Sequence, residues 1–280
     1  MTPNATPPTP LPSAASGRTA REVALQVVME AGALLREHFQ GALQVTSKGR
    51  GNVVTDLDHL VEAQSIRLLR REFPSIGILA EESAEVPSDS GYTWVLDPLD
   101  GTRNFASGLP VFSVVLGLAR GDEVVLGMTY DPMRDELFLA ETGKGATLNG
   151  KPIQVAGQAR VEDAVLAFDM GYSDERAHNA LRLMVRLWPG MQTIRILGSA
   201  ALGLAYVASG RIDLYFHHLL SPWDIASGIL LVREAGGVIT DRDGKPATHA
   251  SESIIAANPA LHDHFLRLTE GSEWRDATGS

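Results

Sequence analysis

Residues 97–102 carry groups that suit a metal ion and an anionic ligand. Asp97 and Asp100 stand three residues apart, with a proline restricting the turn between them. Two carboxylates at this spacing can converge on one hard cation, and Mg²⁺ prefers oxygen ligands. Gly101 and Thr102 follow, and their backbone N–H groups can donate to a phosphate, especially where a helical turn begins. The same residue types are common in surface turns, so this segment alone leaves both interpretations open.

Three further acidic positions could join the same site. Glu81 follows a short apolar run, and a metal-bound carboxylate there could orient a nucleophilic water. Asp224 precedes the apolar stretch 225–232, and Asp56 follows a short β-branched run. Each also has a structural interpretation, because glutamate pairs are common on solvated surfaces and Asp near a helix start is usually a cap. None of the three identifies a site by itself.

Composition and charge exclude several classes of function. The 280-residue chain is 44% apolar and 21% charged, as expected of one large layered domain or two closely packed ones. It has no cysteine, which excludes disulfides, thiolate catalysis and zinc sites built from Cys. A formal charge of −10 argues against broad nucleic-acid binding. A divalent cation in a carboxylate cluster is one way for such an acidic protein to hold an anionic substrate.

No segment predicts a membrane span, because the longest apolar runs, such as 111–119, fall far short of the roughly 20 residues needed to cross a bilayer. Residues 1–20 are rich in Pro, Thr, Ala and Ser and lack the basic start and apolar stretch of a signal peptide. We therefore expect a flexible Pro-rich tail at 1–20 of a cytoplasmic protein. The sequence also lacks the Gly-x-x-x-x-Gly-Lys-Ser/Thr phosphate loop and the His-Glu-x-x-His zinc motif.

The acidic positions lie between elements that apolar spacing predicts. Helical periodicity covers 18–39 and begins again near Asp56, until a Phe-Pro pair breaks it. Short apolar runs at 76–80 and 93–96 predict strands that lead directly into acidic residues. The carboxylates are therefore expected at strand ends.

The two halves of the chain differ in pattern. Strands at 111–119, 123–130 and 137–140, joined by turn formers, predict an antiparallel meander within an α+β subdomain at 21–155. Strands then alternate with helices, which predicts an α/β subdomain at 156–270. Its strands are expected at 165–168, 192–197, 212–216, 238–240 and 253–256, and its helices at 175–187, 200–208, 223–235 and 259–268. Residues 271–280 are polar and are expected to fray.

In combination, the motifs resemble those of the inositol monophosphatase family from about Arg21 to Leu268. Four segments in this order are far more specific than any one of them: Val54-Thr55-Asp56, Ala80-Glu81-Glu82-Ser83, Trp94-Val95-Leu96-Asp97-Pro98-Leu99-Asp100-Gly101-Thr102-Arg103-Asn104-Phe105 and Trp223-Asp224-Ile225-Ala226-Ser227-Gly228. Supporting matches are Gly143-Lys144-Gly145-Ala146, Asn149-Gly150 and Glu234-Ala235-Gly236-Gly237.

The resemblance implies an α/β fold of alternating helix and sheet layers, a homodimer, and Mg²⁺-dependent, lithium-sensitive hydrolysis of a small phosphorylated metabolite. It implies that Glu81, Asp97 and the Leu99 carbonyl hold a first Mg²⁺. A second Mg²⁺ would be held by Asp97, Asp100 and Asp224. Asp56 and Thr102 would position or activate the nucleophilic water, which Glu81 would help to orient.

The same resemblance places the substrate against residues 198–200, where small side chains open a helix and let backbone and ligand approach closely. Simple helix packing would explain the small residues equally well. The residues implied to contact substrate are Asp100, Gly101, Thr102, Gly198, Ser199, Ala200, His217 and Asp224.

Two positions depart from the family pattern. His217 stands where inositol-preferring relatives carry a glutamate that contacts the sugar ring, and Ser221-Pro222 stands where those relatives often have a His-Cys pair. A histidine cannot reproduce the acceptor-only bonding of a carboxylate, and it can carry positive charge near neutral pH. His217 is therefore expected either to alter substrate preference or to face solvent.

The leading substrate that the resemblance implies is myo-inositol 1-phosphate. Fructose 1,6-bisphosphate, histidinol phosphate and 3′-phosphoadenosine 5′-phosphate are rivals that the sequence does not rank. A regulatory protein that keeps the fold and binds a partner is the alternative from a different class. The presence of every predicted metal ligand disfavours it.

Overall fold

The computed structural model describes residues 11–41, 44–50 and 52–276. Their helices are α1 (Ala20–His38), α2 (Asp56–Glu72), α3 (Thr102–Ala106), α4 (Asp174–Leu187), α5 (Ala200–Ala208), α6 (Pro222–Glu234), α7 (Pro259–Thr269) and α8 (Glu273–Asp276), with a 3₁₀ turn at Val161–Asp163. Their strands are β1 (Val45–Ser47), β2 (Val53–Thr55), β3 (Gly77–Ala80), β4 (Tyr92–Asp100), β5 (Ser113–Arg120), β6 (Glu123–Asp131), β7 (Glu136–Glu141), β8 (Ala146–Leu148), β9 (Lys151–Pro152), β10 (Val165–Phe168), β11 (Thr193–Arg195), β12 (Leu214–His217), β13 (Val238–Thr240) and β14 (Ile254–Ala257). None of these helices is both long and apolar enough to span a bilayer.

The strands form two large sheets and a small one. Strands β3 to β9 lie in chain order in a seven-stranded sheet, in which β3 and β4 are parallel and the later neighbours are antiparallel. The second sheet has the order β11-β10-β12-β14-β13, with β10 parallel to β11 and β12. Strands β1 and β2 pair just before α2. The predicted antiparallel meander is therefore confirmed.

Alternating side chains join the sheets and helices into five layers. Along β4, Trp94 and Leu96 lie in the core shared with α1 and α2, whereas Val95 lies in a middle core shared with α5 and α6. Along β10, Ala167 lies in that middle core, and Leu166 lies in a third core with α4 and α7. Successive strand residues point to opposite faces, so both sheets are covered on both sides. The order helix, sheet, helix, sheet, helix confirms the predicted layered α/β fold.

The middle helix layer lies close to the seven-stranded sheet. All eight residues from Ile225 to Val232 of α6 are buried, as a helix without a polar face requires. Gly117 on β5 pairs with Gly127 on β6 at this contact, and a Cβ at Gly127 would stand 2.9 Å from the Cα and carbonyl oxygen of Ser227. The hydroxyl oxygens of Thr129 and Ser227 lie 2.6 Å apart in the same contact. This packing sets the position of α6 and of the aspartate in its first turn.

One predicted strand differs from the structure in a way that matters for the chemistry. The strand expected at 93–96 continues as β4 through Asp100, so Asp97 and Asp100 lie inside a strand rather than after it. The register with β5 shifts between these two residues. Such an irregularity bends a strand and changes the direction of its side chains. It therefore orients the two carboxylates, which the sequence had suggested would lie in a turn after the strand.

The predicted terminal tails are too long. Residues 1–10 lie outside the described residues, but Ala14 is buried and Ala15 donates its N–H to the Glu72 carbonyl at 2.7 Å. At the other end, α8 places Trp274 in the third core with 1% of its surface exposed. The expectation of a flexible 1–20 and a frayed 271–280 is therefore wrong for residues 11–20 and 271–275.

Replacing Gly127 with alanine should destabilise the protein. The added methyl group would collide with backbone atoms of Ser227, so α6 or β6 must shift. Over-packing of this kind costs about 1–3 kcal/mol. A urea titration followed by circular dichroism should show this loss in the free energy of unfolding.

Gly157→Ala is the matched control for this substitution. No atom lies within 4 Å of the position that a Cβ would take at Gly157. Equal free energies of unfolding for the two variants would contradict a close helix–sheet contact at Gly127.

Candidate active site

Three aspartates converge where the middle helix layer meets the seven-stranded sheet. Asp97 and Asp100 come from β4, and Asp224 comes from the first turn of α6. One carboxylate oxygen of each lies within 4.8 Å of the others. Asp97 and Asp100 are buried, and Asp224 is half-buried. The structure thus brings together three of the predicted metal ligands, and this is the one such cluster among the described residues.

Asp100 is held by hydrogen bonds from the segment that opens α5. Its carboxylate accepts from the Ser199 hydroxyl, from the Ala200 N–H at 3.2 Å and from the Ala201 N–H at 3.1 Å. The Ser113 hydroxyl donates a further bond at 3.3 Å. The two N–H groups belong to the first turn of a helix, which has no intrahelical acceptor for them and attracts negative charge. The predicted substrate segment therefore also positions a carboxylate.

Burial and mutual repulsion disfavour the charged forms of these carboxylates. Removal from water is the main cause that raises the pKa of Asp224 to about 8, and the charge of Asp100 adds to it. Burial also raises the pKa of Asp100 to about 6, against the opposing hydrogen bond from Ser199. The pKa of Asp97 lies well above its usual value because of burial and then the charges of Glu81, Asp100 and Asp224. A divalent cation among these groups would offset both penalties.

A cavity of about 230 Å³ borders the three aspartates, and Glu81 and Leu99 also line it. Lys48, from the loop between β1 and β2, donates to the Glu81 carboxylate at 3.3 Å. Burial raises the pKa of Glu81 to about 7 although Lys48 opposes the shift. The Leu99 carbonyl accepts from the Thr102 hydroxyl at 2.9 Å. Every predicted metal ligand therefore borders this cavity, although Glu81 is not part of the tight group of three among the described residues.

The chemistry of this donor set fits Mg²⁺. The predicted ligands offer carboxylate oxygens and one backbone carbonyl, and the tight group contains no histidine. Hard divalent cations take oxygen ligands, and Mg²⁺ usually keeps several waters beside one or two carboxylates. An open cavity next to the carboxylates leaves room for those waters and for a phosphate.

Thr102 lines this cavity and is hydrogen-bonded to Asp58, which does not line it. The Thr102 hydroxyl lies 3.1 Å from Asp58 Oδ1, which competes with the Leu99 carbonyl for its single proton. Asp58 is fully buried and accepts from the N–H and the hydroxyl of Thr55. Its pKa is raised by burial. Because Thr55 and Asp58 form the capping box that begins α2, the start of this helix fixes the carboxylate.

Asp56, which was expected at the nucleophilic water, lines neither this cavity nor the one that adjoins it. Asp56 is exposed, and its carboxylate accepts from the Gln44 N–H at 3.3 Å. Two residues along a helix are about 200° apart around its axis, so Asp56 and Asp58 lie on opposite sides of α2. Asp58, rather than Asp56, is the carboxylate of α2 that is bonded to Thr102. The capping-box spacing Thr-x-x-Asp, starting at Thr55, is the signal that could have identified it.

A second cavity, of about 310 Å³, adjoins the first. It shares Asp100, Gly101, Thr102 and Asp224 with the first cavity. All eight residues that were predicted to contact substrate line it, namely these four with Gly198, Ser199, Ala200 and His217. The structure therefore places the predicted substrate residues around one space beside the carboxylates.

The turn before α5 is held from two sides. Asp169, which follows β10, accepts the N–H of Leu197 at 2.8 Å and that of Gly198 at 2.6 Å. Asn104 of α3 donates to the carbonyls of the same two residues at 2.8 Å and 3.2 Å. Gly198 has a φ of 71°, and a Cβ there would lie 3.0 Å from the Asn104 side chain. Sequence reasoning gave no role to Asp169, because only the folded chain brings these three segments together.

His217 is buried at the end of β12, with 3% of its surface exposed. The expectation that it could face solvent is therefore wrong. The Leu219 N–H donates to its Nδ1 at 3.1 Å. Burial is the main cause that lowers the pKa of His217 to about 3. The ring is thus neutral at neutral pH, in contrast to the positive charge considered from the sequence.

Comparison with known sequences gives one family. The model described as the inositol monophosphatase family matches residues 18–273. The chain is 39% identical to the inositol-1-monophosphatase of Mesorhizobium japonicum, over 89% of this chain and 95% of that protein. It is 37% identical to Nus factor SuhB of Escherichia coli, over 85% and 91%. It is 36% identical to the fructose-1,6-bisphosphatase/inositol-1-monophosphatase of Thermotoga maritima, over 88% and 94%.

Solved structures agree with the sequence comparison. The extragenic suppressor protein suhB of Bartonella henselae matches with a TM-score of 0.86 at 37% identity, over 90% of this chain and 98% of that one. An IMPase of Thermotoga maritima matches with a TM-score of 0.81 at 35% identity, over 89% and 95%. The layered fold is therefore similar to that of several solved proteins.

Asp224→Asn should stabilise the protein in EDTA, and more so as the pH rises. Between pH 3.8, the ordinary pKa of the group, and about pH 8, the folded chain binds a proton at Asp224 that the unfolded chain has released. The free energy of unfolding of the wild type therefore falls with pH across this window. An asparagine does not titrate, and it also removes one charge from the group of three.

Thermal melts in EDTA at pH 4, 6 and 8 test this prediction. The melting temperatures of Asp224→Asn and wild type should agree near pH 4 and differ by several degrees at pH 8. Asp122→Asn, at an exposed aspartate in the turn between β5 and β6, is the control and should follow the wild type. A variant that melts below the wild type at pH 8 would show that the aspartates do not repel one another in the metal-free fold.

Proposed function

Because the chain belongs to the inositol monophosphatase family, we propose that it hydrolyses the phosphate monoester of a small metabolite with Mg²⁺ as cofactor. The observation that carries the proposal is the group formed by Asp97, Asp100 and Asp224. It borders one cavity lined by all the implied metal ligands and a second lined by all the implied substrate contacts. A phosphate at the junction of these cavities would lie beside the metal ligands, with space for a leaving group.

Five groups would hold Mg²⁺: the carboxylates of Glu81, Asp97, Asp100 and Asp224 and the Leu99 carbonyl, all of which line the first cavity. When bound, Mg²⁺ polarises the phosphoryl oxygens, offsets the charge of carboxylates and phosphate, and lowers the pKa of a nearby water. Water can then attack in line with the leaving oxygen, so no side chain need become phosphorylated.

Asp58 and Thr102 would prepare the attacking water. The Asp58 carboxylate accepts the Thr102 hydroxyl proton across 3.1 Å, which leaves the lone pairs of the Thr102 oxygen available. This oxygen can accept a hydrogen bond from the water and orient it toward phosphorus. Gly101, with a φ of 93°, begins α3 just before Thr102. The backbone N–H groups at this turn can donate to the phosphate.

The leading substrate in this proposal is myo-inositol 1-phosphate, because the Mesorhizobium relative is named an inositol-1-monophosphatase. Fructose 1,6-bisphosphate is the first rival, since the name of the Thermotoga relative joins both activities. Histidinol phosphate and 3′-phosphoadenosine 5′-phosphate are rivals on the resemblance alone. Inhibition by lithium also stays a prediction of that resemblance.

A partner-binding role is the alternative, because the E. coli relative is named a Nus factor rather than an enzyme. The complete set of carboxylates around the cavity favours catalysis. We also propose that the chain forms a homodimer. Its support is the exposure of three large apolar side chains between α4 and the end of β11: Val185, Trp188 and Ile196 are 75%, 54% and 55% exposed.

Phosphate release from these four substrates should require Mg²⁺ and stop in EDTA. Asp97→Asn keeps the shape of the side chain but removes a charge from the tight group. It should reduce kcat/KM to about one hundredth or less, a loss typical of removing one electrostatic contact to a transition state. A malachite green assay of released phosphate measures both effects. Equal turnover of wild type and Asp97→Asn would rule out the metal assignment, and silence on every substrate would favour the partner-binding role.

Asp58→Asn should lose most activity, whereas Asp56→Asn should keep it. An asparagine at 58 cannot take up the proton of Thr102, and loss of such acid–base assistance typically reduces kcat by about 10²–10⁴-fold. The two substitutions are matched, because both remove one charge from the first turn of α2. Steady-state kinetics with Mg²⁺ at saturation separates them. The opposite result would restore the role first predicted for Asp56.

A further inference from the structure

Tyr172 borders the place where the two cavities meet. Among the described residues, four others line both cavities, namely Asp100, Gly101, Thr102 and Asp224. These four belong to β4, to the start of α3 and to α6, whereas Tyr172 lies in the loop between β10 and α4. A phosphate ester bound across both cavities would therefore meet Tyr172 on the side of the second sheet. The proposed mechanism gives this residue no role.

The hydroxyl of Tyr172 lies on the inner side of its ring. The residue is 57% exposed, so much of the ring contacts solvent at the mouth of the cavities. Burial is nevertheless the main cause that raises the pKa of this hydroxyl above its ordinary value, and the charges of Glu81, Asp224, Asp100 and Asp97 add to it. A hydroxyl that is shielded from water and close to four carboxylates of the first cavity is directed toward that cavity.

The loop that carries Tyr172 is held at both ends. Asp169, three residues earlier, accepts a hydrogen bond from the Tyr215 hydroxyl at 2.8 Å and two more from the backbone before α5. Ser173, the next residue, begins α4, and its hydroxyl accepts the Arg176 N–H at 3.4 Å. These bonds fix the backbone on either side of Tyr172, so the fold positions its side chain before any ligand binds.

Among the described side chains that line both cavities, Tyr172 offers the hydrogen-bond donor that is left for a ligand. The two aspartates there offer only acceptor oxygens when they are charged. The Thr102 hydroxyl already donates to Asp58 or to a backbone carbonyl. Lys48 and Arg103 carry further donors, but each lines one cavity only. An ordinary tyrosine has a pKa of about 10, so Tyr172 keeps its proton at neutral pH even where nearby charges are neutralised.

The bond that breaks in the proposed reaction would span this junction. The phosphoryl group would lie beside the carboxylates of the first cavity, and the leaving group would extend into the second. The oxygen that joins them would therefore lie where Tyr172 lines both cavities. Negative charge develops on this oxygen as its bond to phosphorus breaks. A donor already directed at it stabilises the transition state more than the bound ester.

We infer that Tyr172 is a further catalytic residue, whose hydroxyl donates a hydrogen bond to the leaving-group oxygen of the phosphate ester. The inference rests on the proposed function. The oxygen of the attacking water bonds to phosphorus, the phosphorus–oxygen bond of the ester breaks, and the released alcohol takes a proton that comes from this water. Tyr172 itself stays protonated, because a phenolate would add a negative charge beside four carboxylates.

Tyr172→Phe removes the hydroxyl and keeps the ring. Its kcat on the best of the four proposed substrates should fall at least about tenfold, because one donor to the transition state is lost. KM should change by less than about threefold, since the contact strengthens mainly as the bond breaks. Its melting temperature should equal that of the wild type, because the exposed ring is kept. Tyr92→Phe, at the opposite end of β4 from the aspartates, is the control and should keep the wild-type kcat.

The ¹⁸O kinetic isotope effect at the leaving-group oxygen tests where the hydroxyl acts. It should be larger for Tyr172→Phe than for the wild type, because without the hydrogen bond this oxygen loses its bond to phosphorus with less compensation. Competitive turnover of an ester labelled at this oxygen, followed by mass spectrometry, measures the effect. An equal isotope effect in both proteins would overturn the inference.

The outcomes separate this inference from the proposed function. An unchanged kcat for Tyr172→Phe, or a rise in its KM alone, would overturn the role of Tyr172 and leave the phosphatase standing. Silence of the wild type on all four substrates with Mg²⁺ would overturn the proposed function and this inference with it.

Discussion

Three carboxylates lie with oxygens within 4.8 Å of one another inside the protein, and the rest of the structure must hold them there. Both burial and repulsion oppose this arrangement when the groups are charged. Part of the cost is offset by donors, since two hydroxyls and two helix N–H groups bond to Asp100. The cost that is not offset favours the binding of protons at low pH or of a divalent cation, because either neutralises the three carboxylates. If the group binds a metal, as we propose, the instability of the metal-free group is also the source of that affinity.

Such a group needs rigid supports, and each aspartate has one. Asp97 and Asp100 lie on β4, which pairs with β3 on one side and β5 on the other. Asp224 lies on α6, which the glycine pair at 117 and 127 lets approach the sheet closely. The apolar middle layer thus does more than stabilise the fold. By fixing the distance between α6 and the sheet, it fixes the distance between carboxylates that would otherwise move apart.

Sequence patterns predicted most of the helices and strands, and the family resemblance implied the layers and the residues that line the two cavities. The failures have physical causes. Alternation and helical periodicity are local signals, so the meander and the long helices were predictable. The continuation of β4 through Asp100 was not, because it depends on pairing with β5 across an irregular register. The resemblance implied Asp56, which ends the matching segment Val54-Thr55-Asp56. Which carboxylate of α2 meets Thr102 depends on its position around the helix and on the capping box at Thr55. Both place Asp58, not Asp56, in contact with the Thr102 hydroxyl.

The two cavities adjoin, but they are lined in part by different sheets. This bears on how relatives that share the same motifs can be named for different activities. The metal ligands belong to the seven-stranded sheet, its loops and α6, whereas His217 ends a strand of the other sheet. His217 lines the second cavity but not the first, so a substitution there alters that cavity without touching β4. A substitution at Asp100 of β4 would affect both cavities, because Asp100 is bonded to the N-terminus of α5 and borders both of them. The lining of the second cavity at β12 can therefore vary while the group of three aspartates stays the same.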